Sequence, residues 1–506
     1  MSRKNALLIA GLFAVIHLIL ACLYASSTPY RTGGLLLGQG RQQIPDIGAP
    51  DERQHANYVQ HLVDGKGFPV LDPKDPNLGE NYQAHQPPLY YIIQAGWTKI
   101  TGTDLNSRES GLMARMPNAL IGAATVLGTF FLGLWAFRRE DVGLLAAGFV
   151  ALLPMNTALS GAISNDPLLY CLCTWTLALI AKGCTDGWSI KVALLVGAGT
   201  GLAIITKTTA VALLPILLLS LFIGPNKPSG KAIAACAVLL LAIASPWLFR
   251  NQSHYGDPLA MSAFNEAFKG SPSPAVVAAP EIVETNPEIA QKFSDFAATH
   301  PELQGAELIK QADASFGFGA TRTMHYWADW VGWWTARSFF GAFGYMDIFL
   351  NEQGVPSTGQ RNPNTLYRLL LAISVLVVAS WALALKKSEW SEHKRMHWLL
   401  GAFLLIVTVL FLRFNAQYFQ GQARYLFPAI SVFGIGTGIA LLNITRGKVP
   451  VALGVLAIFL TGLNVYALTR LPEEFKRRIL SVHRTQKTDL VASNVLLGNA
   501  GNITRV

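Results

Sequence analysis

Long apolar runs recur along most of the chain, and they restrict the fold more than any other feature of the sequence. A helix of about twenty apolar residues crosses the roughly 30 Å hydrocarbon core of a bilayer. Runs suited to such helices lie at roughly 5–25, 112–137, 143–160, 167–184, 190–206, 208–223, 232–249, 365–385, 397–412, 425–443 and 450–468. Hydrophobic residues fill 51% of the 506 positions and charged residues 14%, which is more apolar material than one soluble core buries. The sequence therefore predicts an all-α polytopic membrane protein with about eleven transmembrane helices.

The first run, 5–25, is open to two interpretations. A cleaved signal peptide is one, because Ala25-Ser26-Ser27 makes a poor but acceptable cleavage site. The run is longer than the apolar segment of most signal peptides, so we interpret it as an uncleaved first span that follows Arg3 and Lys4.

Basic residues are distributed unevenly between the short loops. If Arg3 and Lys4 lie in the cytoplasm, the basic loops at 138–139, 182–191, 227–231, 386–395 and 446–448 share that side. The opposite short loops carry Lys207, Arg413 and Arg424. The formal net charge of +10 therefore indicates topology rather than an acidic partner, and no nucleic-acid partner is expected. The basic tail after Arg470 falls on the outer side and runs against this rule.

Two outer segments, 26–111 and 250–364, are too long and polar to be simple connections. The predicted organisation is a first transmembrane helix (1–25), a first extracytoplasmic loop with interfacial helices (26–111), transmembrane helices 2–7 (112–249), a large extracytoplasmic loop (250–364), transmembrane helices 8–11 (365–468) and a C-terminal tail (469–506). In the first loop Ala56, Val59, Leu62 and Val63 form one apolar stripe, which predicts a helix along the membrane interface. We expect the function to reside in these two segments.

Two adjacent carboxylates, Asp51 and Glu52, open that helix. Carboxylates at a helix start are favoured by capping and by the helix dipole, so a structural role is one interpretation. A general base that takes a proton from an acceptor hydroxyl at the membrane surface is the other. His55 follows one turn later, and a divalent metal ion bound by Asp51, Glu52 and His55 is a further hypothesis beside solvated surface histidines.

A stiff corner follows in the same loop. Pro87 and Pro88 fix an extended entry into a helix, and they would direct His85 and Gln86 towards whatever the carboxylates bind. Asp166, at the outer end of the predicted fourth span, precedes a proline at the first helical position. The segment 164–167 is predicted to cap the helix, and a second catalytic or metal-binding acid at Asp166 is a further hypothesis.

Three cations lie at the same predicted outer boundary on different helices. Lys207 interrupts an apolar stretch, Arg250 ends the seventh span, and Arg424 precedes Tyr425 at the start of the tenth. Each cation could extend separately to the lipid headgroups. Together they could instead bind a phosphate or pyrophosphate, which an arginine can hold with two parallel hydrogen bonds.

In their order along the chain, these segments resemble the GT-C superfamily of membrane glycosyltransferases, and most nearly its protein O-mannosyltransferase and aminoarabinose-transferase branch with its bacterial relatives. The resemblance rests on Asp51-Glu52, the corner 87–91, the stretch 201–215 with Thr206-Lys207, the segments 246–251 and 255–258, and the motifs at 338–344 and 422–428. The aminoarabinose branch has a lysine before its paired prolines, where this chain has Gln86.

The resemblance implies a GT-C-like fold and an inverting transferase that takes a sugar from a polyprenyl-phosphate carrier. Asp51 would act as the base, with Glu52 beside it, and Asp166 is added as a further candidate acid from its own position in the sequence. Lys207, Arg250 and Arg424 would contact the donor phosphate, and His85, Gln86 and Tyr425 would position substrate. A divalent metal ion is the cofactor that the resemblance leaves open.

Three functions are compatible with this topology. A lipid-linked glycan transporter or flippase would carry acids or broken helices near the bilayer midplane and two repeated halves, and the sequence indicates neither. A polysaccharide polymerase or ligase would differ mainly in its acceptor. We expect a glycosyltransferase in the inner (plasma) membrane, with its site facing the periplasm or exterior, a polyprenyl-phosphate sugar donor, and a lipid, glycan or protein acceptor.

Overall fold

A computed structural model describes residues 2–37, 42–224, 226–269, 271–350, 365–387, 390 and 393–492, with side chains described as far as residue 479. The helices of the first half are α1 (Arg3–Ser27), α2 (Glu52–Val63), α3 (Leu78–Asn81), α4 (Leu89–Thr101), α5 (Gly111–Phe137), α6 (Glu140–Leu152), α7 (Pro154–Ser160), α8 (Asp166–Asp186), α9 (Ile190–Ile204), α10 (Leu213–Ile223) and α11 (Gly230–Tyr255). Those of the second half are α12 (Met261–Ala267), α13 (Pro274–Thr285), α14 (Pro287–Thr299), α15 (Gly305–Phe316), α16 (Trp333–Phe340), α17 (Thr365–Ala384), α18 (Lys394–Gln417), α19 (Ile430–Ile444) and α20 (Val449–Ala492). Two short antiparallel hairpins complete the fold, β1 (Gly34–Leu36) with β2 (Gln42–Ile44) and β3 (Ala342–Phe343) with β4 (Ile348–Phe349).

Most of these helices are apolar enough to cross a membrane. Within the described ranges eight candidate spans meet the length and composition that a crossing requires: Arg3–Ser27, Arg108–Phe137, Asp166–Asp186, Gly230–Tyr255, Thr365–Ala384, Lys394–Gln417, Phe427–Ile444 and Val449–Ile479. Helices α6 and α7 together make a ninth, while α9 and the segment Thr208–Ile223 are apolar but shorter. Every apolar run predicted from the sequence is helical, which confirms the all-α fold of a multi-pass membrane protein. The total of eleven spans, like the division into domains, stays a prediction.

The span formed by α6 and α7 is broken, whereas the sequence predicts one continuous run at 143–160. Pro154 has no backbone N–H to continue α6, and the two helices meet at an angle of 65°. The carbonyl groups freed at the break accept hydrogen bonds from side chains: Asn156 Nδ2 donates to Val150 (2.8 Å), His17 Nδ1 to Ala151 (3.0 Å) and Asn464 Nδ2 to Leu152 (2.7 Å). These contacts satisfy backbone groups that lipid could not, so the break is a packed structural feature.

The first outer segment folds back onto the bundle. The apolar stripe of α2 is directed towards protein: Ala56 and Val59 are buried against Tyr90 and Tyr91 of α4, with Leu62 and Val63 at the edge of the same cluster. This packing fixes the start of α2, where Asp51 lies, against the outer ends of the spans.

The segment after the last predicted span lies on the same face as this loop. Arg470 Nη1 donates to the carbonyl of Phe349 (3.3 Å), and Arg478 pairs with Asp347 (2.8 Å). Phe349 lies in the β3–β4 hairpin, and Asp347 lies just before β4. The backbone N–H of Tyr345 in that hairpin donates to Ile47 (3.2 Å), close to Asp51 in sequence. The first residues of the C-terminal tail are therefore part of the scaffold around the first outer loop.

Candidate active site

A cavity of about 570 Å³ opens where the two outer segments meet the ends of the spans. Its polar part is lined by Asp51, His55, Tyr82, Gln83, His85, Gln86, Asp166, Lys207, Tyr345, Gln422, Arg424 and Tyr425. Its apolar part is lined mainly by α12 and α18, through Met261, Phe264, Phe268, Val407, Leu410, Phe411 and Phe414. A cavity with a charged end and a long apolar wall is suited to an amphiphile with an anionic head group.

Asp51 occupies a strained backbone position at the edge of this cavity. Its φ of 62° lies in the left-handed region, which non-glycine residues adopt at some cost, and its side chain makes no capping hydrogen bond to α2. The carboxylate instead accepts a hydrogen bond from the hydroxyl of Tyr82 at Oδ1 (2.6 Å) and pairs at Oδ2 with Arg424 Nη2 (2.6 Å). The side chain of Asp51 therefore does not cap α2, contrary to the structural interpretation of this residue.

The electrostatic surroundings keep Asp51 ionised. Burial acts to raise the pKa of this carboxyl, but the positive charge of Arg424 and the Tyr82 hydrogen bond outweigh burial and lower the pKa to about 2. For Tyr82, burial and the neighbouring Asp51 charge raise the pKa well above its ordinary value, so its hydroxyl stays protonated and remains a donor.

A second acid, Asp166, and a second cation, Lys207, lie beside the pair of Asp51 and Arg424. Lys207 Nζ lies 2.5 Å from Asp166 Oδ1, and Arg424 Nη1 lies 3.8 Å from Asp166 Oδ2. The structure thus brings together Asp51, Asp166, Lys207 and Arg424, four of the residues singled out in the sequence. They come from the first outer loop, the start of α8, the turn after α9 and the turn before α19.

The positioning residues named from the sequence also reach the cavity. His85 donates from Nδ1 to the carbonyl of Tyr82 (2.7 Å), Gln86 accepts at Oε1 from Asn165 Nδ2 (3.1 Å), and Tyr425 accepts at its hydroxyl from Arg424 Nη2 (3.3 Å). Burial lowers the pKa of His85 to about 4. Burial also lowers the pKa of His55 to about 3 against the opposing charge of Asp51, so both rings are neutral at physiological pH.

Glu52 lies away from the cavity, contrary to its predicted place beside Asp51. Its carboxylate is fully buried and forms a two-pronged ion pair with Arg115 of α5, at 2.7 Å to Nε and 2.6 Å to Nη2. Oε1 also accepts from the backbone of Ile163 (2.8 Å). Arg115 in turn donates to the carbonyls of Ala25, Thr28 and Pro29, so the pair joins the end of α1 to α2 and α5.

This arrangement separates the predicted metal ligands. Both oxygens of Asp51 and both of Glu52 already have partners, and His55 Nδ1 contacts the hydroxyl of Tyr91 (2.8 Å). No group of three or more His, Cys, Asp or Glu side chains in the described residues is arranged to bind a metal ion. Asp51, Glu52 and His55 therefore do not form the predicted metal-binding set in this structure.

Arg250 lies outside the cavity. Helix α11 continues five residues beyond it, and its guanidinium donates to the carbonyls of Pro69 (2.8 Å) and Phe68 (3.2 Å) while stacking on Trp247. Of the three predicted phosphate-binding cations, the structure brings Lys207 and Arg424 together and leaves Arg250 as a link between α11 and the first outer loop.

Sequence reasoning missed three side chains of this region. Tyr82 binds Asp51, and its one signal was its place three residues before His85. Tyr345 lines the cavity from the β3–β4 hairpin, and nothing local in its sequence distinguishes it. Arg115 could have been found, because an arginine in an apolar helix needs a buried partner.

Comparison with known proteins agrees with this architecture. A family model described as dolichyl-phosphate-mannose-protein mannosyltransferase matches residues 85–249, which hold His85, Gln86, Asp166 and Lys207 of the cavity. By sequence alone, no curated protein matches the chain.

Among solved structures, the crystal structure of the Archaeoglobus fulgidus oligosaccharyltransferase tethered with an acceptor peptide superposes with a TM-score of 0.51 at 14% identity. The match covers 93% of this chain and 55% of that protein, so the chain spans about half the length of this relative. ArnT from Cupriavidus metallidurans bound to undecaprenyl phosphate gives a TM-score of 0.37 at 14% identity, over 88% of this chain and 79% of that one. The S. cerevisiae Pmt1-Pmt2 complex bound to the sugar donor gives 0.35 at 17% identity, over 51% and 35%.

The fold of this all-α membrane protein is thus similar to that of the A. fulgidus oligosaccharyltransferase. The family match is confined to residues 85–249, and it agrees with the resemblance to the protein O-mannosyltransferase branch of the GT-C superfamily.

Proposed function

We propose that the protein is a glycosyltransferase that moves a sugar from a polyprenyl-phosphate donor to an acceptor at the extracytoplasmic membrane face. The observation that supports this proposal most strongly is the convergence of Asp51, Asp166, Lys207 and Arg424 at the polar end of a cavity with a long apolar wall. The cations would bind the lipid phosphate, and a carboxylate would accept the proton of the acceptor hydroxyl. The apolar wall would contact the polyprenyl chain.

The chemistry that suits this geometry is a single displacement with inversion at the anomeric carbon. The acceptor oxygen forms a bond to that carbon as the bond to the phosphate oxygen breaks, and the acceptor's proton passes to Asp51. The departing lipid phosphate carries the negative charge, which Lys207 and Arg424 stabilise. His85, Gln86 and Tyr425 are proposed to position the sugar, with Asp166 holding Lys207 in place.

The proposed orientation has the cavity facing the periplasm or exterior of the inner (plasma) membrane. Helix α8 begins at the cavity with Asp166 and ends at Asp186, where Lys182 and Arg138 lie within 3.5 and 3.2 Å of its carboxylate. The basic loops at 138–139 and 182–191 therefore lie at the end of α8 opposite the cavity. The positive-inside rule assigns that end to the cytoplasm.

The test is sugar transfer by purified protein supplied with a panel of radiolabelled polyprenyl-phosphate sugars and lipid, glycan and peptide acceptors. Asp51→Asn is the matched variant, because asparagine tolerates a left-handed backbone and keeps the shape of the carboxylate. We expect transfer by the parent protein and a loss of about 10²–10⁴-fold in the variant, the usual contribution of a general base. Full activity of folded Asp51→Asn would exclude Asp51 as the base.

A divalent metal ion remains a separate part of the proposal. One structure of the A. fulgidus oligosaccharyltransferase contains zinc and sulfate, and this concerns that protein alone. Running the transfer assay with and without a chelator tests the metal requirement independently of the donor and acceptor.

A further inference from the structure

Both cations of the cavity already have carboxylate partners. Lys207 is paired with Asp166 at 2.5 Å and Arg424 with Asp51 at 2.6 Å, so two negative charges offset two positive ones. His55 and His85 add no charge. An anionic head group that enters this site has to compete with a carboxylate for at least one cation.

Arg424 is the cation whose hydrogen bonds are incompletely used. Nη2 contacts Asp51 and Tyr425, whereas the buried Nε has no hydrogen-bond partner among the described residues. The Arg424 side chain is 5% exposed, so bulk water does not readily satisfy that donor.

The same edge of the guanidinium binds carboxylates elsewhere in this protein. At Arg115, Nε and Nη2 hold the two oxygens of Glu52 at 2.7 and 2.6 Å. At Arg139, Nε and Nη2 hold those of Asp141 at 3.0 and 2.7 Å. On Arg424 this edge is half occupied: Nη2 contacts Asp51 and the Tyr425 hydroxyl, and Nε has no partner among the described residues. Parallel hydrogen bonds from this edge to a phosphate would require Nη2 to leave Asp51.

We propose that Arg424 exchanges Asp51 for the phosphate of the lipid-linked donor, so that donor binding frees the Asp51 carboxylate to act on the acceptor. The inference rests on the proposed function and adds an order of events to it, in which donor binding precedes activation of the acceptor. Asp51 would keep the Tyr82 hydrogen bond at Oδ1 while Oδ2 becomes available. Because the charge of Arg424 is the largest single cause that lowers the pKa of Asp51, the released carboxylate is also the stronger base.

The exchange makes a prediction that a simple catalytic role for Asp51 does not. Removing the negative charge of Asp51 abolishes the competition, so a variant that cannot transfer sugar should bind the donor phosphate more tightly. The loss of one charge-assisted hydrogen bond corresponds to an affinity change of about tenfold.

The experiment measures binding of undecaprenyl phosphate, which carries no sugar, to the full chain in detergent or nanodiscs. Asp51→Asn is compared with the parent protein, and Tyr82→Phe serves as the matched control, since it removes the other hydrogen bond to Asp51 and leaves the Arg424 pair intact. We expect about tenfold tighter binding for Asp51→Asn and little change for Tyr82→Phe. If Asp51→Asn does not fold, Asp51→Gly replaces it, because glycine also accepts the left-handed backbone.

A second pair of variants tests whether the effect passes through Arg424. In an Arg424→Lys background, which keeps the charge but has no two-pronged edge, Asp51→Asn should lose most of its gain in affinity. An undiminished gain there, or unchanged or weaker binding of Asp51→Asn in the parent background, would overturn the exchange. If the parent protein neither binds undecaprenyl phosphate nor transfers any sugar, the proposed function itself fails, which is a different result.

Discussion

The guanidinium of Arg424 lies 2.6 Å from the carboxylate of Asp51, although 373 residues separate them in the chain. Asp51 is in the first outer loop and Arg424 in the turn before α19, so this one contact joins both halves of the protein at the cavity. The contact also means that an acid suited to activate an acceptor and a cation suited to bind phosphate lie side by side in the cavity.

Arg424→Ala should weaken donor binding more than acceptor binding. A hydrogen bond to a charged group contributes about 1.5–3 kcal/mol, so we expect the KM for the donor to rise about 10- to 150-fold, with the acceptor KM changed far less. Steady-state kinetics with each substrate varied in turn measures both values. Arg250→Ala is the matched control, because Arg250 was predicted to bind the same phosphate but lies outside the cavity. An equal effect of both variants on the donor KM would contradict this assignment.

Glu52→Gln should destabilise the protein instead of acting selectively on catalysis. Removing one member of a buried ion pair leaves the other charge uncompensated and costs about 3–5 kcal/mol. We therefore expect a lower apparent Tm in detergent and a smaller folded fraction. Lys292→Ala breaks the exposed pair with Glu288 and should change the Tm little, since surface pairs contribute about 0–1 kcal/mol. A parent-like Tm combined with lost sugar transfer would contradict this and indicate that Glu52 acts in catalysis.

The sequence predicted the helices well because hydropathy is a local property. The first run became α1 and the run at 112–137 became α5, each from its own composition. The acidic start of α2 and the cations at the outer boundary were also visible. Which of those side chains converge depends on how distant helices pack, and that is why Arg250 was grouped with Lys207 and Arg424, and why Glu52 was assigned to the site before its partner Arg115 was known.

The pH dependence of stability should contain a contribution from Asp46. This carboxyl is 4% exposed; Oδ1 accepts from the backbone of Gly48 (3.0 Å) and Thr32 (3.4 Å), and Oδ2 has no partner among the described residues. Burial, and then the charge of Glu52, raise its pKa to about 6. The folded state therefore favours the protonated acid, and this stabilisation is complete below the unfolded pKa of about 3.9 and is lost as the pH rises through about 6.

Asp46→Asn should remove that dependence. Asparagine keeps the acceptor for Gly48 and Thr32 without the charge, so we expect higher stability at pH 7.5 by about 1–3 kcal/mol and little difference from the parent near pH 4. Thermal unfolding in detergent at a series of pH values measures both. A variant that is less stable than the parent at pH 7.5 would show that the ionised carboxylate is favourable.

The last prediction concerns Asp347 and Arg478, which hold the hairpin that brings Tyr345 to the cavity. Arg478 donates from Nε to Asp347 Oδ2 (2.9 Å) and from Nη2 to its carbonyl (2.6 Å), and Leu37 donates its N–H to the same Oδ2 (3.0 Å). Both side chains are buried, and the turn between the strands contains Met346 at a φ of 57°. The ion pair thus fixes a strained turn beside the site.

We expect Arg478→Lys, which keeps the charge but loses the two-pronged geometry, to lower transfer several-fold at a matched folded fraction. Tyr345→Phe alone should also lower it, and the double variant should be no worse than the poorer single variant if Arg478 acts through Tyr345. Additive effects in this cycle would indicate that the pair only stabilises the fold. Arg139→Lys, at the half-buried two-pronged pair with Asp141 outside the cavity, controls for the loss of a two-pronged contact as such.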